Sequence, residues 1–190
     1  MATRGVSDYR RGMSQPHIVA LGGTTRTESS TGRTLAVALR IAEDMGARTT
    51  LLTGDAIDFP NYDPAGIAAN DQLDAFLAAL RCADGVIIGS PGYHGTFSGL
   101  VKNALDHVEL MAKDDRPYFS DMPVGQIAIA AGWQAAVSTL TGLRTITHAL
   151  RGWPTPLGVA INSAEPDSIA RAEPQIALMV GQMLDFLSRR

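Results

Sequence analysis

The sequence predicts an α/β fold in which a parallel sheet carries helices on both faces. Short apolar runs alternate with segments of helical periodicity, and this β-then-α order repeats five times along the 190 residues. The composition, with 45% hydrophobic and 18% charged residues, supplies a core and excludes a disordered chain or a charged scaffold. The length fits one domain, since a domain typically has about 100–200 residues.

Each strand is predicted from a short apolar run that stops at turn-forming residues. The first run, HIVAL at 17–21, ends at Gly22-Gly23, and the third, GVIIG at 85–89, ends at Ser90-Pro91-Gly92. Such continuous runs are typical of strands buried on both faces of a parallel sheet. In chain order, the predicted strands are 17–21, 48–52, 85–89, 124–131 and 153–161.

The helices are predicted from apolar residues spaced three and four apart. The clearest helix spans 97–111, where polar residues flank one apolar stripe. The first helix covers 31–45 and ends at Gly46, whereas 54–69 is rich in proline, asparagine and glycine and is mostly loop. Similar spacing marks three more helices, at 73–80, about 136–151 and 176–187. Ligands of such folds bind beyond the carboxyl ends of the strands, so the loops after strands one, three and four are the candidate functional segments.

Charge, cysteine content and the N-terminal segment exclude several classes of protein. Residues 1–16 are predicted to be a disordered leader and residues 17–190 a single domain; the leader lacks the apolar segment of a secretory signal. A net charge of −3 disfavours a nucleic-acid partner, and no segment is expected to span a membrane. Cys82 has no second cysteine to pair with, and the histidines lack metal-ligand spacing. We therefore expect a cytoplasmic protein without a metal site.

The loop after the first strand is rich in hydroxyl groups. Residues 22–31 read GGTTRTESST, in which Arg26 adds a permanent positive charge, and they lead directly into a helix N-terminus. Hydroxyl groups, a guanidinium and free backbone N–H groups together are the chemistry of a phosphate site. The loop has neither the Walker A pattern nor the G-x-G-x-x-G dinucleotide pattern. The alternative is an ordinary polar turn with Ser30 or Thr31 as the helix N-cap.

The loop after the third strand combines glycines with flat aromatic side chains. Residues 89–103 read GSPGYHGTFSGLVKN. Its glycines allow the backbone to approach a ligand closely, while Tyr93 and Phe97 offer flat apolar surface and His94 a polar group. The loop is therefore suited to a planar aromatic ligand held by backbone N–H groups. His94 is the one candidate proton donor, and the alternative is that it is only a ligand contact positioned by the backbone.

Residues 90–106, SPGYHGTFSGLVKNALD, resemble the S-P-x-Y-x-x-x-x-x-G-x-x-K-N-x-x-D signature of the NADPH-dependent FMN reductases. The similarity extends to the hydroxyl-rich first loop and to FPNYDP at 59–64, and it follows the family's layout from residue 17 to about 160. It implies a flavodoxin-like three-layer sandwich with a five-stranded parallel sheet in the order 2-1-3-4-5. It also implies FMN as the cofactor, NADPH or NADH as the hydride donor, and a homodimer or homotetramer.

The resemblance assigns roles to residues in three loops. The FMN phosphate would be held by the first loop, at Thr24, Arg26, Ser29, Ser30 and Thr31. The isoalloxazine would pack along the third-strand loop, at Pro91, Gly92, Tyr93, His94 and Gly95. The fourth-strand loop contributes Gly132 and Trp133, where the family often has a glycine-rich run, and Trp133 would stack on the flavin or shape the substrate pocket.

The predicted function is hydride transfer from NAD(P)H through FMN to a small-molecule acceptor such as a flavin or a quinone. FMN carries the chemistry, so no catalytic triad is needed. The alternative is a non-enzymatic electron carrier of the flavodoxin type, which the weak acidic charge disfavours. A phosphorylated receiver would need an aspartate where Ser90-Pro91 stands. A G-x-S-x-G hydrolase would need glycine at Ile88.

Overall fold

The computed structural model describes residues 15–26 and 28–189, and it has the predicted α/β architecture. Most of the predicted leader, residues 1–14, lies outside the described residues. The strands are β1 His17–Gly22, β2 Arg48–Leu52, β3 Gly85–Tyr93, β4 Thr96–Phe97, β5 Pro123–Ala130, β6 Trp153–Pro154 and β7 Val159–Asn162. The α-helices are α1 Ser30–Asp44, α2 Asp71–Arg81, α3 Gly99–Asp106, α4 Trp133–Ala149 and α5 Ser168–Leu187.

The main sheet is parallel and has the strand order β2-β1-β3-β5-β6. This order agrees with the predicted 2-1-3-4-5 arrangement, and β7 pairs in parallel with β5 beyond β6. The last predicted strand, 153–161, is in fact two short strands, because Pro154 and Pro156 cannot donate ladder hydrogen bonds. Val124 pairs with Pro154, and Ile127 pairs with Val159 after the interruption.

Side chains alternate between the two faces of the sheet, so the protein has two cores. On β1, Ile18 and Ala20 join the core under α1 and α5, whereas Val19 and Leu21 join the core under α2, α3 and α4. Both cores consist mainly of buried aliphatic side chains, and the core under α2, α3 and α4 also contains buried phenylalanines. Helices therefore cover both faces, which gives the three layers that the continuous apolar strands predict.

The third strand is longer than predicted. β3 was expected to end at Gly89, but it continues through Pro91 to Tyr93 and pairs with β5 as far as Ile129. The proline is tolerated because β1 ends at Gly22, opposite Gly89, which leaves β3 without a neighbour on that side. The chain then turns back as β4, which pairs antiparallel with the end of β3.

The helix boundaries differ from the predicted ones, most of all in α5, which begins at Ser168, eight residues before the predicted start at 176. The helix predicted over 97–111 is α-helical only as Gly99–Asp106 and continues as a 3-10 helix over His107–Met111. α4 begins at Trp133, three residues before the predicted start, and α1 begins at Ser30. None of the helices in the described residues has the length and the apolar run needed to cross a bilayer.

Candidate functional site

Three loops meet at the carboxyl ends of the strands and enclose a cavity of about 750 Å³. The first wall is formed by residues 23–26 and 28–31, after β1. The second is formed by 91–93 and 98–100, and the third by 129–131 with Ser163. This is the edge at which α/β sheets bind ligands, and the volume lies within the usual range of about 300–1,000 Å³ for small-molecule sites.

The first wall starts at two glycines that the backbone geometry requires. Gly22 has φ +137°, and a Cβ placed on it would lie 1.8 Å from the carbonyl oxygen of Gly89. Gly23 has φ +103°, and its N–H donates to the same carbonyl oxygen at 3.1 Å. The chain can therefore leave β1 this close to β3 only without side chains. Beyond the glycines, the Thr24 hydroxyl accepts a hydrogen bond from the Arg26 N–H at 3.1 Å and forms a compact turn.

The N-terminus of α1 closes the first wall. Ser29 is the N-cap, and its Oγ accepts a hydrogen bond from the Gly32 N–H at 3.0 Å. The alternative N-caps expected from the sequence, Ser30 and Thr31, are instead in the first helical turn. No acidic residue occupies that turn, so the positive end of the helix dipole is not neutralised there.

The charges of the first wall have opposite signs. Arg26 is exposed, lines the cavity and takes part in none of the ion pairs among the described residues. Glu28 is also exposed and lines the same cavity, so its carboxylate opposes an anion there. The guanidinium, the hydroxyl groups of Thr24 and Ser30, and the helix N-terminus all favour an anion. The favourable groups outnumber the one carboxylate at this end of the cavity.

The second wall is the end of β3 together with the start of α3. Pro91, Gly92 and Tyr93 line the cavity, and the Tyr93 side chain is 53% exposed. Gly92 is required by packing: a Cβ placed on it would lie 2.7 Å from the Thr139 Oγ1 and 2.9 Å from the Ala130 Cβ. The sequence suggested that this glycine permits the approach of a ligand, but the contacts to α4 and β5 already require it.

His94 and Gly95 form the tip of the β3–β4 hairpin. Their φ angles are +50° and +91°, as a two-residue primed hairpin turn requires. The Ser138 hydroxyl donates to the Gly95 carbonyl at 2.5 Å and fixes the tip against α4. Neither residue lines the cavity among the described residues, so their contacts with a flavin ring stay a prediction.

Two serines fix the second wall from behind. Ser90 is fully buried; its hydroxyl donates to the Pro91 carbonyl at 2.9 Å and accepts from the Ser98 N–H at 2.9 Å. Ser98 in turn is the N-cap of α3, and its Oγ accepts from the Val101 N–H at 3.2 Å. These bonds couple the end of β3 to the start of α3. Ser90 therefore has a positional role, which agrees with its rejection as a nucleophile.

Asn103 is a positioning residue. It belongs to the sequence motif at 90–106, but its role was not predicted from the sequence. Its Nδ2 donates to the carbonyl oxygens of Phe59 and Pro60 at 3.0 and 3.2 Å, and its Oδ1 accepts from the Tyr62 N–H at 2.9 Å. The side chain thus holds the segment FPNYDP at 59–64, which follows β2, against α3. The neighbouring Lys102 only forms an exposed ion pair with Asp106, at 2.6 Å.

The residues that line the third wall of the cavity differ from those that the sequence predicts. Ala130 and Ala131 line the cavity, together with Ile129 and Ser163, whereas Gly132 and Trp133 do not. Trp133 is the first residue of α4, and its Nε1 donates to Glu165 Oε1 at 2.8 Å. Of the twelve predicted cofactor residues, the cavity is lined by Thr24, Arg26, Ser29, Ser30, Thr31, Pro91, Gly92 and Tyr93.

The chain resembles known enzymes in sequence and solved structures in fold. FMN-dependent NADPH-azoreductases of Staphylococcus haemolyticus (strain JCSC1435) and Staphylococcus aureus (strain USA300) are 30% and 31% identical over 109 residues. Each alignment covers 57% of this chain and 54% of the relative, so the chain matches about half the length of these enzymes. Among solved structures, an NADH:FMN oxidoreductase (EMOB) in its apo form has a TM-score of 0.70 at 21% identity, covering 89% of this chain and 90% of that one.

A second solved structure, the NAD(P)H:(acceptor) oxidoreductase FerB of Paracoccus denitrificans, has a TM-score of 0.71 at 18% identity and covers 92% of this chain and 98% of its own. At these identities the two structures establish the flavodoxin-like fold. Residues 16–166 match the sequence profile of the NADPH-dependent FMN reductases, a match that extends over all three walls of the cavity. The chain belongs to the NADPH-dependent FMN reductase family.

Proposed function

We propose that the chain is an FMN-dependent oxidoreductase that passes hydride from NAD(P)H through FMN to a small-molecule acceptor. The observation that carries the proposal is the division of one cavity into two chemically different parts. The wall at 23–31 offers hydroxyl groups, Arg26 and a helix N-terminus, whereas the wall at 129–131 offers backbone and apolar side chains. FMN has the same division between a phosphate and a planar ring.

The first wall fits the phosphate by its set of donors. Arg26 can form a charge-assisted, forked hydrogen bond with a phosphate, and the hydroxyl of Ser30 adds a donor at the helix start. Ser29 is already used as the α1 N-cap, so its Oγ accepts from the backbone while its O–H remains able to donate. The negative charge of Glu28 lowers the net gain, which makes Arg26 the residue whose loss should matter most.

The remaining walls fit a flat ring. Pro91, Gly92, Ala130 and Ala131 present no charge, and Tyr93 adds an exposed aromatic face at the edge. The cavity-lining residues among those described include no histidine, cysteine or lysine. FMN, when bound, supplies the hydride chemistry, and the protein's own residues bind and orient it. His94 lies at the hairpin tip. It is the candidate proton donor, and a His94 variant can test this role.

The relatives suggest one acceptor class and leave the assembly to experiment. The two staphylococcal relatives are named azoreductases, so an azo compound joins flavins and quinones as an acceptor to assay. A cytoplasmic location is supported by the need for reduced nicotinamide as donor. A homodimer or homotetramer, and one FMN-binding domain over 17–190, complete the proposal; the exposed indole of Trp153 and the exposed Leu178 are apolar surface that a second subunit could cover.

The first test is the visible absorbance of the purified protein with added FMN, followed by NADPH without oxygen. A bound-flavin spectrum that bleaches on addition of NADPH is the expected result. Sustained NADPH oxidation in the presence of an acceptor separates the enzyme from a flavodoxin-type carrier, which would need a partner reductase. Failure to bind FMN at saturating concentration would refute the proposal.

The second test assigns the phosphate to Arg26. In Arg26→Gln, FMN binding should weaken about tenfold or more, because a charged hydrogen bond to phosphate is lost. Riboflavin, which has no phosphate, should bind the variant and the parent protein equally. Arg40→Gln is the matched control, since Arg40 is on α1 but pairs with Glu173 outside the cavity. An equal loss of FMN and riboflavin binding in Arg26→Gln would contradict the assignment.

A further inference from the structure

Three segments at the edge of the cavity meet at the carboxylate of Glu165. Its Oε1 accepts from the Trp133 Nε1 at 2.8 Å and from the Asn162 Nδ2 at 3.3 Å, and its Oε2 accepts from Arg171 Nη1 at 3.2 Å. Trp133 begins α4, Asn162 ends β7, and Arg171 is in α5. We call Glu165, Trp133, Asn162 and Arg171 the Glu165 network.

The network reaches the third wall of the cavity through Asn162. The Asn162 Oδ1 accepts from the Gly132 N–H at 2.8 Å and from the Ala164 N–H at 3.1 Å. The Ser163 N–H donates to the Ala130 carbonyl at 2.8 Å. Ala130 and Ser163 both line the cavity, so these bonds join the two segments that form the third wall. The shape of that wall depends on the same groups that hold Trp133.

Little else determines where the Trp133 side chain lies. The indole is 51% exposed, Gly132 has φ +124°, and Gly132 provides no side-chain cap for α4. A half-exposed indole has limited burial to hold it in one rotamer. Its hydrogen bond to Glu165 is therefore the main directional constraint. Trp133 is outside the cavity lining while this bond is made, although Ala131, two residues earlier, lines the cavity.

Among the members of the network, Glu165 is the one that decides the geometry. The Arg171 side chain is 66% exposed and that of Glu165 33%, so their ion pair is screened by solvent and contributes little. The bonds to Trp133 and Asn162 are different, because each one fixes a segment of the cavity edge. A carboxylate accepts several hydrogen bonds at once, and Glu165 accepts those from Trp133, Asn162 and Arg171.

We propose that Glu165 is a positioning residue: it holds the turn between β5 and α4 against the turn after β7, and it keeps the Trp133 indole out of the flavin cavity. The expected effect on flavin binding rests on the proposed function, in which a flavin ring would lie against the third wall. Loss of Glu165 frees the indole and loosens Ala130 and Ala131. Binding of the ring then weakens, whereas the phosphate wall at Arg26 is untouched.

The first readout follows Trp133 directly and needs no flavin. The chain has two tryptophans, so Trp153→Phe leaves Trp133 as the single emitter. In this background Glu165→Ala should change the acrylamide quenching constant of Trp133 by about twofold, because the indole loses its only hydrogen bond and half of its surface is already accessible. Glu165→Gln should restore the parent value, since the amide oxygen still accepts from the indole N–H. Glu173→Ala removes an acid of α5 that also forms an exposed ion pair with an arginine; it is the control and should change nothing.

The second readout is flavin affinity. Glu165→Ala should weaken FMN and riboflavin binding alike, by about tenfold, since the lost support belongs to the ring wall. Trp133→Phe keeps an aromatic ring but removes the N–H donor, and it should weaken both ligands by a smaller factor, about threefold. This variant tests the proposal if Glu165→Ala does not fold. Equal loss of both ligands distinguishes the Glu165 network from Arg26, whose removal should affect FMN alone.

The outcomes separate this inference from the proposed function. Trp133 quenching that is the same in Glu165→Ala and Glu173→Ala overturns the inference, whether or not the protein binds flavin. Flavin affinity that is unchanged in both Glu165→Ala and Trp133→Phe overturns it as well. If the parent protein binds no flavin, the proposed function fails, and the quenching comparison alone decides the role of Glu165.

Discussion

Gly22→Ala tests whether the close approach of β1 and β3 shapes the start of the cavity. Gly22 pairs with Gly89 at the end of β1, and an added Cβ would lie 1.8 Å from the Gly89 carbonyl oxygen. That atom belongs to the backbone and cannot rotate away. The strands must separate, and the hydrogen bond from the Gly23 N–H to the same oxygen, 3.1 Å long, is expected to break.

The cost has three parts. A non-glycine residue at φ +137° costs about 2 kcal/mol, the lost hydrogen bond about 1 kcal/mol, and the steric overlap about 1–3 kcal/mol. Together they lower the free energy of unfolding by about 5 kcal/mol. Domains have a total stability of about 5–15 kcal/mol, so the variant should be severely destabilised.

Urea unfolding followed by circular dichroism measures the effect. With a slope of about 2 kcal/mol per molar, the midpoint of Gly22→Ala should fall by about 2 M or more. Gly132→Ala is the matched control, because Gly132 has φ +124° but no atom within 4 Å of an added Cβ. It carries only the conformational cost, about 2 kcal/mol, and its midpoint should fall by about 1 M. Equal midpoints for the two variants would refute the argument from the close approach.

Two further predictions concern residues outside that contact. Ser90→Ala removes the buried hydroxyl that accepts from the Ser98 N–H, and the unsatisfied donor should cost about 1–3 kcal/mol in urea unfolding; a loss below about 0.5 kcal/mol would contradict its positional role. The hydrogen bond from Tyr118 to the Glu109 carboxylate, at 3.0 Å, raises the pKa of Tyr118 above its ordinary value. The stability that this hydrogen bond contributes is therefore complete below pH 10 and is lost as the pH rises through the raised pKa. Glu109→Gln should lower that pKa in a tyrosinate absorbance titration, with Tyr118→Phe identifying the transition; an unchanged midpoint would exclude Glu109 as the cause.

The fold class was predictable because it depends on local pattern. The first strand is apolar at every position from 18 to 21, and this pattern requires cover on both faces and thus three layers. The order of the main strands also agreed with the prediction. The end of β3 was predicted wrongly, since Ser90-Pro91-Gly92 has the composition of a turn. Whether a proline interrupts a strand depends on the neighbouring strands, and here β1 had already ended.

The first-loop part of the candidate site was predictable, because the groups suited to an anion all lie within that one loop. The hydroxyl groups and Arg26 of the first loop are adjacent in sequence, and eight of the twelve predicted residues line the cavity. The position of the N-cap was less predictable, because Ser29, Ser30 and Thr31 all have a suitable side chain. Only the backbone conformation selects Ser29 among them.

What the sequence by itself determined, then, is the set of local properties: strands buried on both faces, helices with one apolar side, and a loop suited to an anion. The tertiary structure decided which distant groups support the site. Asn103 bonds to residues 41–44 positions away, and Glu165 bonds to Trp133 across 32 positions. Gly92 is required by Thr139 of a later helix. Patterns of period two or four report one segment's environment, whereas such contacts exist only after several segments have packed at one edge of the sheet.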